Sequence, residues 1–134
     1  MKLVIYRHRI GSVVCEGMLK IDGWKICDTA ENVKVMPPVG TYRIVLYRNK
    51  RLLRIVPYLI AEGMTIPEKK GMTLNAPYLC LANGIYHRND GRIVLGTYIA
   101  PGCVKCSRKV YKPLYDRINN TLRRGKMVML EIRE

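Results

Sequence analysis

The sequence contains no Phe and only one Trp, so nearly all of its large aromatic side chains are its nine Tyr. A Tyr ring carries a hydroxyl group that needs water or a hydrogen-bond partner when the ring is buried. We therefore expect many of these rings at the edge of the core and not at its centre.

Long apolar segments are also missing from the sequence. No stretch approaches the roughly 20 apolar residues that a membrane-spanning helix requires. The apolar patch after Met1 is interrupted by Arg7 and His8 and is too short for the core of a signal peptide. The sequence therefore predicts a chain without a membrane span or an export signal, located in a cytoplasm or in a virion.

Acidic residues are scarce, with 10 Asp and Glu against 24 Lys and Arg, which gives a formal net charge of +14. A field of this sign attracts polyanions, and the attraction depends on salt. Nucleic acid, an anionic envelope polymer and an acidic virion protein are the partner classes that this charge favours. The alternative is that the charge serves solubility alone.

The length and composition predict a single domain over residues 1–134. A chain of this length buries roughly two-thirds of the surface of its unfolded state. A content of 49% hydrophobic and 25% charged residues is typical of a globular protein. The sequence leaves the oligomeric state open, so an oligomer is one of the options.

Alternating apolar residues predict a mainly β (α+β) fold, which is a small barrel or a folded antiparallel or mixed sheet with one C-terminal helix followed by a last strand. Asp22-Gly23 predicts a tight turn between the second and third strands. Pro57 predicts an edge position or a bulge for its strand, and a loop is expected over residues 31–40. The predicted strands are residues 2–9, 13–21, 24–29, 41–47, 52–60, 78–82, 93–99 and 126–133.

From Ser107 onwards the apolar period changes to about 3.6 residues, which predicts a helix. Ser107 is the expected N-cap, and Gly125 is placed to end the helix. The residues that define the buried face lie four apart: Val110, Leu114, Ile118 and Leu122.

Five cysteines are an odd number, so complete pairing within one chain is impossible and mostly reduced thiols are expected. Cys103 and Cys106 form a Cys-x-x-Cys motif before the helix, a spacing used by zinc sites and redox dithiols. The other cysteines and the two histidines offer no second close pair, and a βαβ setting is absent. We therefore interpret the motif as two ordinary loop cysteines and expect neither a metal nor a cofactor.

Positive side chains cluster at two places that are candidates for polyanion binding. One cluster forms a basic turn between two strands, which predicts a hairpin with a cationic tip, and the other begins before the helix and continues along it. Tyr111 and Tyr115 could stack on bases beside the second cluster, but they also fit the edge of the buried helix face. A solvated outer face is the alternative for both. The candidate residues are Arg48, Lys50, Arg51, Lys105, Arg108, Lys109 and Lys112.

Several short motifs follow one another along the chain: a Gly-x-Leu-x-Ile-Asp-Gly hairpin at residues 17–23, a Cys-x-Thr-x-Glu stretch at 27–31 and a Gly-Thr-Tyr-Arg strand at 40–43. Residues 85–89 contain Ile and His, residues 91–96 begin and end with Gly, and a Ser leads the helix at 107. This order resembles a small, poorly characterised domain family of bacteria and their phages. The resemblance covers nearly the full length.

In that family the Ile-His and Gly-Cys-Ile-Leu motifs are similar to the active site of L,D-transpeptidases, in which a Cys thiolate attacks a peptide carbonyl and a His is the base. By position, the resemblance implies His87 as the base and Gly91 as the glycine before the nucleophile. The nucleophile position is Arg92, which has no thiol and cannot form an acyl-enzyme. Either the scaffold is reused without catalysis, or another thiol has taken over, and the candidates are Cys80, Cys103 and Cys106.

Loss of catalysis is the favoured interpretation, because a relocated nucleophile rarely stays within hydrogen-bond reach of its base. The leading hypothesis is a non-catalytic binding or structural module, of phage or phage-derived origin, whose basic surface contacts a polyanion or a virion or envelope partner. The first alternative is an active cysteine peptidoglycan transpeptidase or amidase that uses His87 and a relocated thiol. The second alternative is a nucleic-acid-binding accessory protein.

Overall fold

The structure is a computed structural model that describes residues 1–67, 73–80 and 91–134. The mainly β fold with one helix and a final strand is confirmed. Residues 81–82, which were predicted to end the sixth strand, lie outside the described residues. The elements are β1 (Lys2–Ile10), β2 (Val14–Ile21), β3 (Trp24–Asn32), β4 (Gly40–Asn49), β5 (Arg54–Ile60), β6 (Tyr78–Cys80), β7 (Arg92–Ala100), β8 (Cys103–Cys106), α1 (Arg108–Arg123) and β9 (Met129–Arg133).

Eight of these strands form a closed barrel. Neighbouring strands follow the order β3-β2-β1-β9-β4-β5-β6-β7, and β3 also pairs with β7, which joins the two ends of the sheet. The closing ladder is antiparallel and runs from Asp28 opposite Gly96 to Glu31 opposite Ile93. The β1–β9 and β6–β7 pairs are parallel. Of the predicted alternatives, a barrel with a mixed sheet is therefore the one that forms.

The β2–β3 hairpin turns at Asp22-Gly23, as predicted. Both residues have a positive φ, 51° at Asp22 and 82° at Gly23, which is the backbone that a two-residue turn between twisted strands requires. β3 continues to Asn32, beyond its predicted end, because its last residues pair with the start of β2. The loop expected over residues 31–40 is shortened accordingly.

The inner face of the barrel and one face of α1 form a common core. The helix contributes Tyr111, Leu114 and Ile118 to this cluster. Each fully buried Leu or Ile side chain contributes about 1.5–3 kcal/mol to folding through the area that it removes from water. The fully buried barrel members are Leu3, Ile5, Leu19, Ile44, Leu59, Leu79, Ile93, Leu95 and Leu130.

The helix begins and ends where the sequence predicts. It follows Ser107, which takes the N-cap position without a side-chain capping bond. Gly125 has a φ of 75°, and its N–H donates to the Leu122 carbonyl oxygen at 3.0 Å. A glycine in this left-handed conformation is the usual end of a helix.

The Cys-x-x-Cys segment is a strand and not the predicted loop. β8 pairs with β7 from Gly96 opposite Cys106 to Ala100 opposite Cys103. The turn between the two strands is Pro101-Gly102, and Gly102 has a φ of 77°. A strand of four residues carries too short an alternation to be recognised in the sequence, and only its pairing with β7 defines it.

β5 is an interior strand, so the edge position or bulge predicted from Pro57 is wrong. β5 pairs with β4 in an unbroken register in which Leu46 lies opposite Pro57. On its other side it pairs with β6 through one residue pair, and the Leu59 N–H donates to the Pro77 carbonyl oxygen. Alternate N–H groups point to the same edge of a strand, so the N–H that Pro57 lacks belongs to the β6 side. The proline therefore removes no hydrogen bond to β4.

A buried ion pair lies inside the barrel. The Arg7 guanidinium donates to both carboxylate oxygens of Glu31, from Nε to Oε2 at 2.9 Å and from Nη2 to Oε1 at 2.8 Å, and Nη2 also donates to the Pro37 carbonyl oxygen at 2.6 Å. Each side chain of the pair is only 1% exposed. Burial alone would lower the pKa of Arg7, but the hydrogen bond and charge of Glu31 raise it. The ion pair ties β1 to β3 and to the loop before β4.

Candidate functional site

Two of the three positions that the family resemblance assigns to catalysis are described, and both are buried: Gly91 and Arg92. Arg92, at the start of β7, is 4% exposed, and its guanidinium is hydrogen-bonded to Tyr78. Burial raises the pKa of Tyr78, and the charge of Arg92 counteracts part of that rise. Gly91 has a φ of 72°, a conformation that favours glycine. His87 lies outside the described residues. Arg92 is therefore a hydrogen-bond donor in the wall of the barrel.

The candidate thiols differ sharply in exposure. Cys80 is fully buried in β6, whereas Cys103 is exposed on β8. Of the remaining cysteines, Cys15 and Cys27 are also buried. Burial raises the pKa of Cys15 to about 11 and that of Cys27 to about 12. Thiols with such pKa values are almost fully protonated near neutral pH and are poor nucleophiles.

The strand geometry of β8 separates the two cysteines of the Cys-x-x-Cys motif. Three steps of about 3.3 Å place the Cα atoms of Cys103 and Cys106 about 10 Å apart. A disulfide requires a Cα separation below about 7 Å, so these residues cannot form one without leaving the sheet. Within residues 1–67, 73–80 and 91–134, no three His, Cys, Asp or Glu side chains are grouped so that they could hold a metal ion.

Alkylation of the folded protein with iodoacetamide is expected to modify Cys103 and to leave Cys15, Cys27 and Cys80 unmodified over the same period. The reason is that the reagent needs an accessible thiolate, which only Cys103 of these four can present. Timed quenching followed by peptide mass spectrometry measures each rate, and denatured protein is the control in which all four react. Equal rates at Cys80 and Cys103 in the folded protein would contradict the burial of Cys80.

A basic pocket lies at the turn between β4 and β5, where the sequence predicts a cationic tip. We call it the tip pocket, and its volume is about 320 Å³. Arg48, Lys50 and Arg51 line it with exposed side chains. A site with three cations and neutral hydrogen-bonding neighbours favours an anion. The other described lining residues are all uncharged: Asn49, Tyr58, Thr73, Leu74, Asn75, Ala76 and Tyr78.

Asn49 holds the turn in one shape. Its side-chain oxygen accepts a hydrogen bond from the Leu52 N–H at 2.9 Å, which is the local turn that Asn side chains favour. Its side-chain nitrogen donates to the Tyr58 hydroxyl at 3.0 Å. Both the oxygen and the nitrogen of this buried amide therefore form hydrogen bonds. They hold the backbone that carries the three cations in place without a ligand.

Two buried tyrosines form the inner wall of the tip pocket. The ring centroids of Tyr58 and Tyr78 are 5.4 Å apart. Arg51 Nη2 donates to the Tyr78 hydroxyl at 3.4 Å, and Arg92 is hydrogen-bonded to the same side chain. Arg92 therefore lies one side chain away from Arg51 and adds its positive charge next to the pocket.

The second predicted cationic cluster does not line this pocket. Lys112 is paired with Asp116 at 2.8 Å and lies over the ring of Tyr115, 5.9 Å from its centroid. Tyr111 is buried, and Tyr115 packs against the core, so both rings belong mainly to the packed face of the helix. The exposed cations of this cluster form a separate surface along β8 and the start of α1: Lys105, Arg108 and Lys109.

Sequence reasoning finds the cations of the tip pocket but misses its neutral wall. Tyr58 and Tyr78 lie on different strands, and residues 73–76 come from a segment between two predicted strands. The one available signal is Asn49, because an Asn inside a basic tetrapeptide favours a turn. Only tertiary packing brings the other parts together.

Comparisons with protein-family models, with curated proteins and with solved structures found no match in any of the three. Among the residues that the structure describes, no helix has both the length and the apolar character needed to cross a membrane.

Proposed function

We propose that this chain is a non-catalytic binding module on an L,D-transpeptidase-like scaffold, of phage or phage-derived origin, that contacts an anionic polymer of a virion or cell envelope. The tip pocket is the proposed contact site. The observation that carries the proposal is the lining of this pocket, where three exposed cations lie beside neutral hydrogen-bonding side chains.

The state of Arg92 supports binding over catalysis. The position that would carry the nucleophile holds a guanidinium, which has donors only and stays charged. That guanidinium is buried and hydrogen-bonded to the wall of the tip pocket through Tyr78. The same replacement that removes a thiol therefore adds positive charge beside an anion-binding surface.

The arrangement of the cations supports a polymer as the ligand. Arg48 lies at the end of β4, Lys50 and Arg51 lie in the turn that follows, and all three are exposed, so they can contact successive charged groups along a chain. Arg also presents a planar set of donors that matches a phosphate or carboxylate with two parallel bonds. The net charge of +14 attracts such a chain from a distance before the local contacts form.

Long-chain inorganic polyphosphate is a suitable probe because it carries repeated charges and no base or sugar. We expect fluorescently labelled polyphosphate to bind with an affinity whose logarithm falls linearly with the logarithm of salt concentration. Three neutralised phosphates give a slope of about −2 to −3. Titrations monitored by anisotropy at several NaCl concentrations measure it. Absence of binding at low salt, or a slope near zero, would contradict a three-cation polyanion site.

A further inference from the structure

A second cleft lies on the outer face of the barrel, beneath the β7–β8 hairpin. Its volume is about 570 Å³, within the range of about 300–1,000 Å³ that is usual for small-molecule sites. We call it the hairpin cleft. Its lining residues come from five strands, and its charged side chains are two cations and two carboxylates: Arg9, Lys25, Glu16 and Asp28.

Two carboxylates hold the hairpin over this cleft. Asp28 Oδ2 accepts the Tyr98 N–H at 2.8 Å, and Asp28 Oδ1 accepts Lys25 Nζ at 2.8 Å. Glu16, which is 3% exposed, accepts the Gly102 N–H at the hairpin turn. Burial alone would raise the pKa of Asp28, but the donors from Lys25 and Tyr98 hold it below its usual value. The two walls of the cleft are therefore fixed relative to each other.

The exposed aromatic and basic side chains of the cleft point to one ligand class. Tyr98 is 43% exposed and lines the cleft together with Met18 and Val104, so its ring is accessible to a planar group. Arg9 is exposed, and its Nε forms a long ion pair with Glu16 at 4.0 Å, which is longer than a hydrogen bond. His8 is exposed on the same strand. An aromatic ring next to basic donors is the combination by which proteins bind a base together with its phosphate.

We propose that the hairpin cleft binds a nucleotide unit, with the base on Tyr98 and the phosphate at Arg9 and His8. The tip pocket differs because its two tyrosines are buried, so it offers charge without a stacking surface. A nucleotide unit can come from a free mononucleotide or from single-stranded nucleic acid. The cleft recognises the chemistry that the two share, and this proposal does not depend on polymer binding at the tip pocket.

Calorimetric titration of the full chain with AMP, with ribose 5-phosphate and with a short oligoadenylate tests this assignment. The variants Tyr98→Ala and Arg9→Ser are each expected to weaken AMP binding about 10-fold, because the first removes the ring that stacks on the base and the second removes a cation that contacts the phosphate. Ribose 5-phosphate should bind more weakly than AMP and should be insensitive to Tyr98→Ala. Matched controls are Ile99→Ala, an exposed neighbour outside the cleft lining, and Lys126→Ser, an exposed cation elsewhere; both should retain wild-type affinity.

The oligonucleotide titration identifies the source of the ligand. Tighter binding of the oligoadenylate than of AMP, lost in both cleft variants, supports single-stranded nucleic acid, and equal affinity supports a free nucleotide. Absence of AMP binding at millimolar concentration, or equal affinity in wild type and both cleft variants, would overturn the proposal. Removal of the tip cations should leave AMP affinity unchanged. The proposals for the hairpin cleft and for the tip pocket can therefore fail independently of each other.

Discussion

Replacing Glu31 with Ala is expected to lower the free energy of unfolding by about 3–5 kcal/mol, because it removes both buried carboxylate acceptors of the Arg7 guanidinium. The guanidinium keeps the Pro37 carbonyl oxygen at 2.6 Å and a long ion pair with Glu134 at 4.0 Å. Both side chains are 1% exposed and are joined by two hydrogen bonds. A domain of this size is stable by about 5–15 kcal/mol, so the loss is a large part of the total. Urea unfolding followed by circular dichroism measures it.

Two further variants test the cause of that loss. Asp116→Ala removes the exposed pair with Lys112 and should cost about 0.5 kcal/mol or less. The double variant Arg7→Met with Glu31→Leu removes both buried charges and should recover most of the lost stability, because apolar replacement of a buried pair is often neutral. A loss below about 1 kcal/mol for Glu31→Ala would contradict the buried, ionised pair.

The second large effect is expected from the triple variant Arg48→Ser, Lys50→Ser and Arg51→Ser, which should weaken polyphosphate binding about 100-fold at moderate salt. Each cation near a polyanionic surface contributes about 1 kcal/mol, and about 1.4 kcal/mol corresponds to a factor of ten. The salt slope should also become shallower by about 2–3. Anisotropy titrations at several NaCl concentrations measure both changes.

The matched control for this triple variant removes the same number of charges elsewhere. Arg123, Arg124 and Lys126 are exposed at the end of α1, and their replacement by Ser should weaken binding only slightly. Because Arg51 contacts Tyr78, the double variant Arg48→Ser with Lys50→Ser separates ligand contact from a local change in the pocket wall. Equal weakening by the tip and helix-end variants would mean that net charge alone binds the polymer.

The features of the fold that the sequence predicts are those that interactions between neighbouring residues determine. Asp22-Gly23 defines its hairpin by turn chemistry, and the period of 3.6 residues defines α1. The closure of the barrel could not be predicted, because it depends on pairing between β3 and β7, which are far apart in the chain. β8 could not be predicted for the same reason, since its four residues form a strand only by pairing with β7.

The buried ion pair and the tip pocket depend on contacts between strands that local sequence patterns do not predict. Arg7 falls on the apolar face of β1 with Leu3 and Ile5, which signals a buried charge, but its partner Glu31 is identified only by the register of three strands. The basic turn was predicted as a cationic tip, and the structure gives it a pocket because Tyr58 and Tyr78 pack behind it. A short window of sequence does not predict such packing between strands.

The most direct test of the central claim is to map the binding site of inorganic pyrophosphate by chemical shift changes in a ¹⁵N-labelled sample. We expect the largest amide shifts at residues 48–51 and 73–76, which line the tip pocket. These shifts should be absent in the tip triple variant and preserved in the helix-end control. Largest shifts along β8 and the first turns of α1, with none at the β4–β5 turn, would contradict the assignment of the anion site.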